Sequence, residues 1–300
     1  MSENINHRQI HWFPGHMMKT LRVMEASIRQ VDVVLELLDA RIPHSSMNPE
    51  IERIAAAKPR LYLLNKADLA DPNITAAWVR YLKSLGCGCV AITSKNRSGI
   101  AAIKKAIDTE LDELLSRRAD RGMLGAKIRI MVTGIPNVGK STFINAFTGS
   151  NRVQAADRPG VTRGKQWVNA GEYELLDMPG VLWKKFESDD VASNLAFIGS
   201  IKDDILDVEE IAARLLGQLQ NTCPDRLEER YRLSKEDLSL DAYDLLECIG
   251  RKRGMMMSGG VVNTERAAQM LVDEFRASKL GRMSLEKPPR AEKGEETQSE

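Results

Sequence analysis

Residues 127–142 read "KIRIMVTGIPNVGKST": an apolar run, a glycine-framed loop and the start of a helix-forming stretch. Gly134-Ile135-Pro136-Asn137-Val138-Gly139-Lys140-Ser141 fits G-x-x-x-x-G-K-[ST], and a preceding strand with a following helix is the context that spacing requires. Backbone N–H groups of the loop and of the helix start, from Asn137 through Val138 and Gly139 to Thr142, are then aimed at a β-phosphate, where the helix dipole favours an anion. Lys140 neutralises β/γ oxygens and the Ser141 hydroxyl ligates Mg²⁺. The loop begins nearly halfway along the 300-residue chain, so the residues ahead of it need their own explanation.

Upstream, apolar positions at helical spacing over 16–30 lead into "VDVVLELL" at 31–38, a continuous apolar run typical of a strand covered on both faces. A helix near 49–57, a strand at 60–65, a helix near 73–84, a strand at 89–93 and a helix near 99–117 continue the alternation. That alternation predicts a parallel-rich sheet with crossover helices. Downstream, short strands near 165–169 and 173–177 are the last; from about Val191 the pattern is helical, which places a domain boundary near 185–190. The final stretch "LEKPPRAEKGEETQSE" is polar and has too little apolar surface to pack, so 287–300 reads as a disordered tail.

The upstream strands end in polar motifs. "NKAD", Asn65 to Asp68, places a carboxylate where it can accept both the N1–H and the N2 amino group of guanine, a donor pair adenine lacks. Asp68 thereby selects GTP over ATP, Lys66 lays its stem along the base, and Asn65 ties the loop to its neighbours. "TSK", Thr93 to Lys95 with Ser94 between them, offers backbone to the base O6 and a second lysine stem. Each motif alone also reads as an ordinary strand-to-helix turn. After the phosphate loop come "DRPGVTRG", with Thr162 to complete a Mg²⁺ shell, and "LLDMPGV", with Asp177 to hold a metal-bound water and the Gly180 N–H to reach a γ-phosphate.

These are the guanine-nucleotide motifs with the base-reading pair placed first, an order that resembles the circularly permuted GTPases. "HWFPGHMMKT" (11–20), "DARIPHSSMNP" (39–49), "NKADL", "GIPNVGKST", "RPGVTRGKQW", "DMPGVLWKKF" and the C-terminal "MMMSGGVVNTERAAQMLVDEFRASKLGRMSLE" are together similar to the ribosome biogenesis GTPase A (YlqF/RbgA) group. The resemblance implies an α/β fold: a circularly permuted P-loop GTPase domain over 1–188 with a helical lead-in, then an all-α RNA- or ribosome-binding domain over 189–286. It also implies a GTPase acting late in assembly of the large (50S) ribosomal subunit, binding the immature particle with GTP and leaving after hydrolysis. Where many GTPases carry a water-orienting Gln after D-x-x-G, this chain has Val181, so a catalytic group must come from elsewhere. The resemblance points to His16; packing or capping of the first helix is its other reading. Asn137 is the position at which related GTPases ligate K⁺, which would stimulate hydrolysis; an ordinary loop asparagine is the alternative. Val181 also leaves open a non-catalytic, guanine-nucleotide-dependent RNA- or ribosome-binding module.

The 43 basic and 42 acidic residues leave a net charge of +1, so any nucleic-acid surface is local. Arg251, Lys252 and Arg253, with Lys279, Arg282 and Lys287, are candidate phosphate contacts or else a solvated charge run, and Met255 to Met257 read as core filler. "WKKF" at 183–186 adds cations between aromatics that suit an interdomain seam. Cys87, Cys89, Cys223 and Cys248 lack zinc-site spacing and read as reduced thiols. With no bilayer-length apolar run and no signal-peptide core at the start, the chain reads as cytoplasmic, and nothing demands more than a monomer.

Overall fold

The computed structural model describes residues 15–123, 125–149, 165–202 and 206–289, without the His16 side chain. Thr162, the remainder of "DRPGVTRG" and the tail from 290 onward lie outside the described residues. Six strands form one sheet in the order β3-β2-β1-β4-β6-β5. They are β1 (Val33–Asp39), β2 (Arg60–Asn65), β3 (Gly88–Ala91), β4 (Ile128–Gly134), β5 (Gln166–Ala170) and β6 (Tyr173–Asp177). All neighbours run parallel except β5, which pairs antiparallel with β6. The continuous apolar runs follow from burial on both faces: all seven residues of β1 are buried.

The helices are α1 (Gly15–Ser27), α2 (Pro43–Ser46), α3 (Pro49–Ala55), α4 (Pro72–Ser84), α5 (Ile100–Glu110), α6 (Asp112–Asp120) and α7 (Lys140–Thr148), then α8 (Asp189–Phe197), α9 (Val208–Thr222), α10 (Pro224–Tyr231), α11 (Ala242–Lys252) and α12 (Thr264–Arg276). Val34, Met131 and Leu176 pack under α1 and α3, and Tyr62 and Leu64 under α4. Leu35, Leu63 and Val132 face α5 and α7, in a cluster that continues without a break through Trp183, Leu195 and Leu215 to Phe275. Within the helical part, α9 packs against α8, α10, α11 and α12. Trp183 is buried and meets the half-buried Phe186 edge-to-face, just ahead of α8. Among the described residues no helix is long and apolar enough to cross a membrane.

Three details depart from the sequence reading. The single helix expected over 99–117 is two, broken at Leu111, whose ψ of 8° leaves the helical range. Met256 and Met257 are 44% and 48% exposed, at a turn closed by the Met256–Val262 bridge, and so do not fill a core. Leu285 and Glu286, at the head of the supposedly unpacked stretch, are anchored: the Leu285 N–H donates to Arg41 O at 2.8 Å and Glu286 O accepts from Trp78 Nε1 at 3.1 Å.

Glu36 is a strand residue whose charge opposes its surroundings. It is buried in β1, accepts from the Asn48 N–H at 3.2 Å and lies 3.9 Å from the Arg60 guanidinium. Burial, only partly offset by Arg60 and that hydrogen bond, pushes its carboxyl from an ordinary 4.5 up to about 7. A raised folded-state value favours folding of the neutral form, so the contribution is full below the ordinary value and is lost as pH rises through about 7. Glu36→Gln keeps an acceptor for Asn48 and removes the charge. The variant is expected to exceed the parent in stability at pH 8 by up to about 3 kcal/mol, with the gap closing by about pH 4.5 in denaturant titrations.

Candidate guanine-nucleotide site

The parallel register brings the C-terminal ends of the central strands level: Asp39 opposite Asn65, Leu37 opposite Gly134 and Val132 opposite Asp177. Ligands of open α/β sheets bind at this edge. Asn65 works in both directions there. Its Nδ2 donates to Val138 O at 2.8 Å, and its Oδ1 accepts from the N–H and hydroxyl of Ser94, at 3.2 and 2.8 Å. One buried amide thus locks "NKAD" to the phosphate loop and to "TSK". Gly139, at φ +97°, has the freedom this approach needs: a Cβ there would sit 2.5 Å from Asn65 Nδ2.

Lys66 adopts φ +58° and donates from Nζ to Asn137 O at 2.7 Å while pairing with Asp39 at 3.1 Å. Asp39 is fully buried, and Arg41 grips it through Nε at 2.9 Å and a terminal nitrogen at 2.8 Å. Burial pushes the Asp39 carboxyl up, but the charges of Arg41 and then Lys66 outweigh it and hold it well below the usual carboxylate range. Asp68 is exposed at the mouth of a cavity of about 790 Å³. Asn65, Lys66, Thr93, Ser94, Lys95, Asn137, Gly139 and Thr142 line it too, which gathers "NKAD", "TSK" and the phosphate loop at one site. Its volume is in the range of small-molecule sites.

On the phosphate side, Lys140 is buried and folded onto its own loop, donating to Gly134 O at 3.2 Å and Ile135 O at 2.7 Å. Burial lowers its ammonium to about 8, against the pull of Asp177. Asp177 is fully buried, and among the described residues neither carboxylate oxygen has a hydrogen-bond partner. Burial raises it to about 6, with Lys140 opposing. An orphaned buried carboxylate beside the Ser141-bearing turn fits a Mg²⁺ site: Ser141 would ligate the ion and Asp177 hold its water, while Thr162 is outside the described residues. Gly180 lies against the loop so closely that a Cβ would be 2.8 Å from both Lys140 Nζ and Pro136 Cα. Val181 is buried in the α1–α3 cluster, and its carbonyl accepts from Asn48 Nδ2 at 3.0 Å.

The far wall of the cavity belongs to the helical part, through Ile198, Gly199, Lys202 and Arg276. Ser200 Oγ donates to Pro136 O at 2.7 Å, and Asn137 Nδ2 donates to Gly199 O at 2.6 Å. Arg276, at the end of α12, donates to Ala196 O and Phe197 O, both at 2.9 Å, and so caps α8. Ile198, Gly199, Ser200, Lys202 and Arg276 carry no motif that marks them in the sequence. Asp39 and Arg41 did leave a signal, a charged pair immediately after an apolar strand. The basic cluster is internally paired: Arg251 with Glu247, Lys252 with Asp237 at 2.8 Å, and Arg253 with Glu274 at 3.8 Å.

Known proteins resemble this arrangement along most of the chain. Residues 129–238 match the family described as "50S ribosome-binding GTPase". Ribosome biogenesis GTPase A of Bacillus licheniformis is 43% identical over 280 residues, covering 93% of this chain and 98% of that protein. Its namesake from Bacillus cereus is 41% identical, with 93% and 94% covered. The crystal structure of GNP-bound YlqF from T. maritima superposes with a TM-score of 0.62 at 26% identity, covering 90% of this chain and 98% of that one. With the permuted motif order gathered at one strand edge, and with kinship of this extent, the chain belongs to the ribosome biogenesis GTPase A family of GTPases.

Proposed function

We propose that this GTPase serves late assembly of the large ribosomal subunit, engaging the immature particle with GTP bound and leaving after hydrolysis. The observation that carries the reading is the shared site: one cavity edged by Asp68, Lys95 and the phosphate loop on one side and by the helical part on the other. A protein whose nucleotide site is walled by its second unit is suited to signal its nucleotide state to whatever that unit touches. Residues 1–188 then form the GTPase unit and 189–286 the unit that meets ribosomal RNA and protein, in the cytoplasm and as a monomer. Because Arg251, Lys252 and Arg253 are paired internally, RNA phosphates would compete with Glu247, Asp237 and Glu274 for them.

In this reading Lys140 leaves the Gly134 and Ile135 carbonyls for the β/γ oxygens, an exchange of partners within reach of one side chain. When bound, Mg²⁺ supplies charge neutralisation at those oxygens, held by Ser141, Thr162 and, through water, Asp177. His16 positions the attacking water, since the buried Val181 side chain has no group that hydrogen-bonds one. Asn137 carries K⁺ near the β/γ bridge, oriented by its hydrogen bond to Gly199.

The same buried Val181 motivates a second reading, a guanine-nucleotide-dependent binding module without turnover. GTP hydrolysis in potassium buffer, with and without purified large subunits, separates the two. Stimulation by the particle is expected, with His16→Ala lowering the stimulated kcat by roughly 100-fold or more. Equal rates in sodium and potassium would count against the Asn137 assignment, and absence of turnover under every condition would favour the binding module. In the same assay Asp68→Asn is expected to weaken GTP by about tenfold or more and to favour xanthosine triphosphate, whose edge complements an amide; unchanged GTP affinity would refute the base-reading role.

A further inference from the structure

The loop that follows "NKAD" has its outward-facing backbone groups bonded by residues more than two hundred positions later. Arg282 forks across the two sides of the loop: one terminal nitrogen donates to Ala67 O at 2.9 Å and Nε donates to Ala70 O at 2.9 Å. Between them the Met283 N–H donates to Leu69 O at 3.1 Å, and the Asp71 N–H donates to Ser284 Oγ at 3.2 Å. The carbonyls of residues 67, 69 and 70 are therefore all engaged by a three-residue segment, with Asp68 at the centre of the span.

That segment is itself firmly seated. Ser284 Oγ donates to Ala40 O at 3.3 Å, and the Leu285 N–H to Arg41 O at 2.8 Å. The Glu286 carboxylate accepts from the Ser45 N–H at 3.1 Å, from the Ser45 hydroxyl and from Asn194 Nδ2 at 2.9 Å. Residues 282–286 thus form a strap, tied down along "DARIPHS", that leads from α12 onto the outside of the base-reading loop. Arg282 is exposed, with Nε and one terminal nitrogen committed to backbone carbonyls there.

We propose that this strap, through Arg282 above all, is a positioning element for guanine recognition: it sets the loop from which Asp68 reads the base. The proposal rests on the assignment of Asp68 as the guanine reader. Asn65, the Lys66 ammonium and the Ala67 N–H, which donates to Ile92 O at 3.1 Å, fix the inner side of the loop, while the carbonyls of residues 67, 69 and 70 on either side of Asp68 are held by the strap. A carboxylate that must meet two donors at once is sensitive to small displacements, whereas the phosphate contacts are made by a different loop. Loosening the strap therefore erodes discrimination between bases before it erodes phosphate binding.

The test measures GDP and inosine diphosphate affinities for the full-length chain by competition against a fluorescent nucleotide. Inosine lacks the N2 amino group, so the ratio of the two affinities reports the Asp68 contact alone. Arg282→Ala is expected to lower that ratio by about tenfold, with inosine diphosphate binding and thermal midpoint little changed. Arg282→Lys, which replaces the planar fork by a single ammonium nitrogen, is expected to fall between, and Ser284→Ala to shift the ratio the same way by less. Loss of both affinities in parallel, or a parental ratio in folded Arg282→Ala and Ser284→Ala, would overturn the proposal. Asp68→Ala runs alongside: a ratio that collapses there but survives Arg282→Ala removes the strap's role alone, while a ratio that survives Asp68→Ala removes the base-reading assignment and this proposal with it.

Discussion

Buried side by side at the end of β1, Asp39 and Arg41 form an ion pair on which the rest of the site is hung. The guanidinium grips both carboxylate oxygens, and the Asp39 N–H donates to Ser46 Oγ at 3.1 Å, setting the turn into α2. Outward, Asp39 holds Lys66, and Lys66 in turn holds the carbonyl of Asn137 in the phosphate loop. Arg41 reaches the other way, over the Phe275 ring at 5.5 Å and to Arg276 O at 3.4 Å, so the same pair touches the end of α12. Removing either partner would strand a buried charge, a loss on the order of 3–5 kcal/mol, and would release the base loop, the phosphate loop and the helical wall together.

The phosphate loop is consequently gripped from two sides that differ in origin. The Asn65 amide and the Lys66 ammonium hold Val138 O and Asn137 O from the sheet; Ser200 and Gly199 hold Pro136 O and the Asn137 amide from the end of α8. Circular permutation makes this economical in chain: the strand ending in Asp177 leads directly through the buried Trp183 into α8, so the Asp177–Gly180 segment and the segment bracing the loop are consecutive. In the proposed reading, Asp177, whose carboxylate has no hydrogen-bond partner among the described residues, and the folded-back Lys140 are groups that change partners when phosphate and metal arrive.

Legibility in the sequence followed the kind of chemistry involved. The phosphate loop, "NKAD" and the Asp177 segment were readable because each requires particular residue types at fixed spacing, and the sheet was readable because burial on both faces leaves uninterrupted apolar runs. The break at Leu111 was hidden because helical periodicity continues across it. The strap was hidden for a different reason: Arg282 and Met283 bond backbone carbonyls, which every residue possesses, so "GRMSLE" carries no pattern and looked like basic surface running into tail. Gly199 and Ser200 escaped notice on the same ground. The pairing of Lys252 with Asp237 and of Arg253 with Glu274 was invisible because it depends on how α11 meets the preceding turn and α12, whereas Arg251 and Glu247 stand at the ordinary i,i+4 spacing of one helix.

The strap also changes what kind of mechanical object the protein is. A unit joined to a frame by one flexible linker can swing in any direction, but the helical unit is fastened at both of its ends. One end is the chain itself leaving β6 at Asp177; the other is the strap, on the loop after "NKAD". Between those ends Ser200 and Asn137 join the phosphate loop to the end of α8, and Arg41 reaches the Phe275 ring and Arg276 O. The unit is clamped across the whole strand edge, so displacing it means breaking fastenings on the phosphate loop and on the "NKAD" loop together.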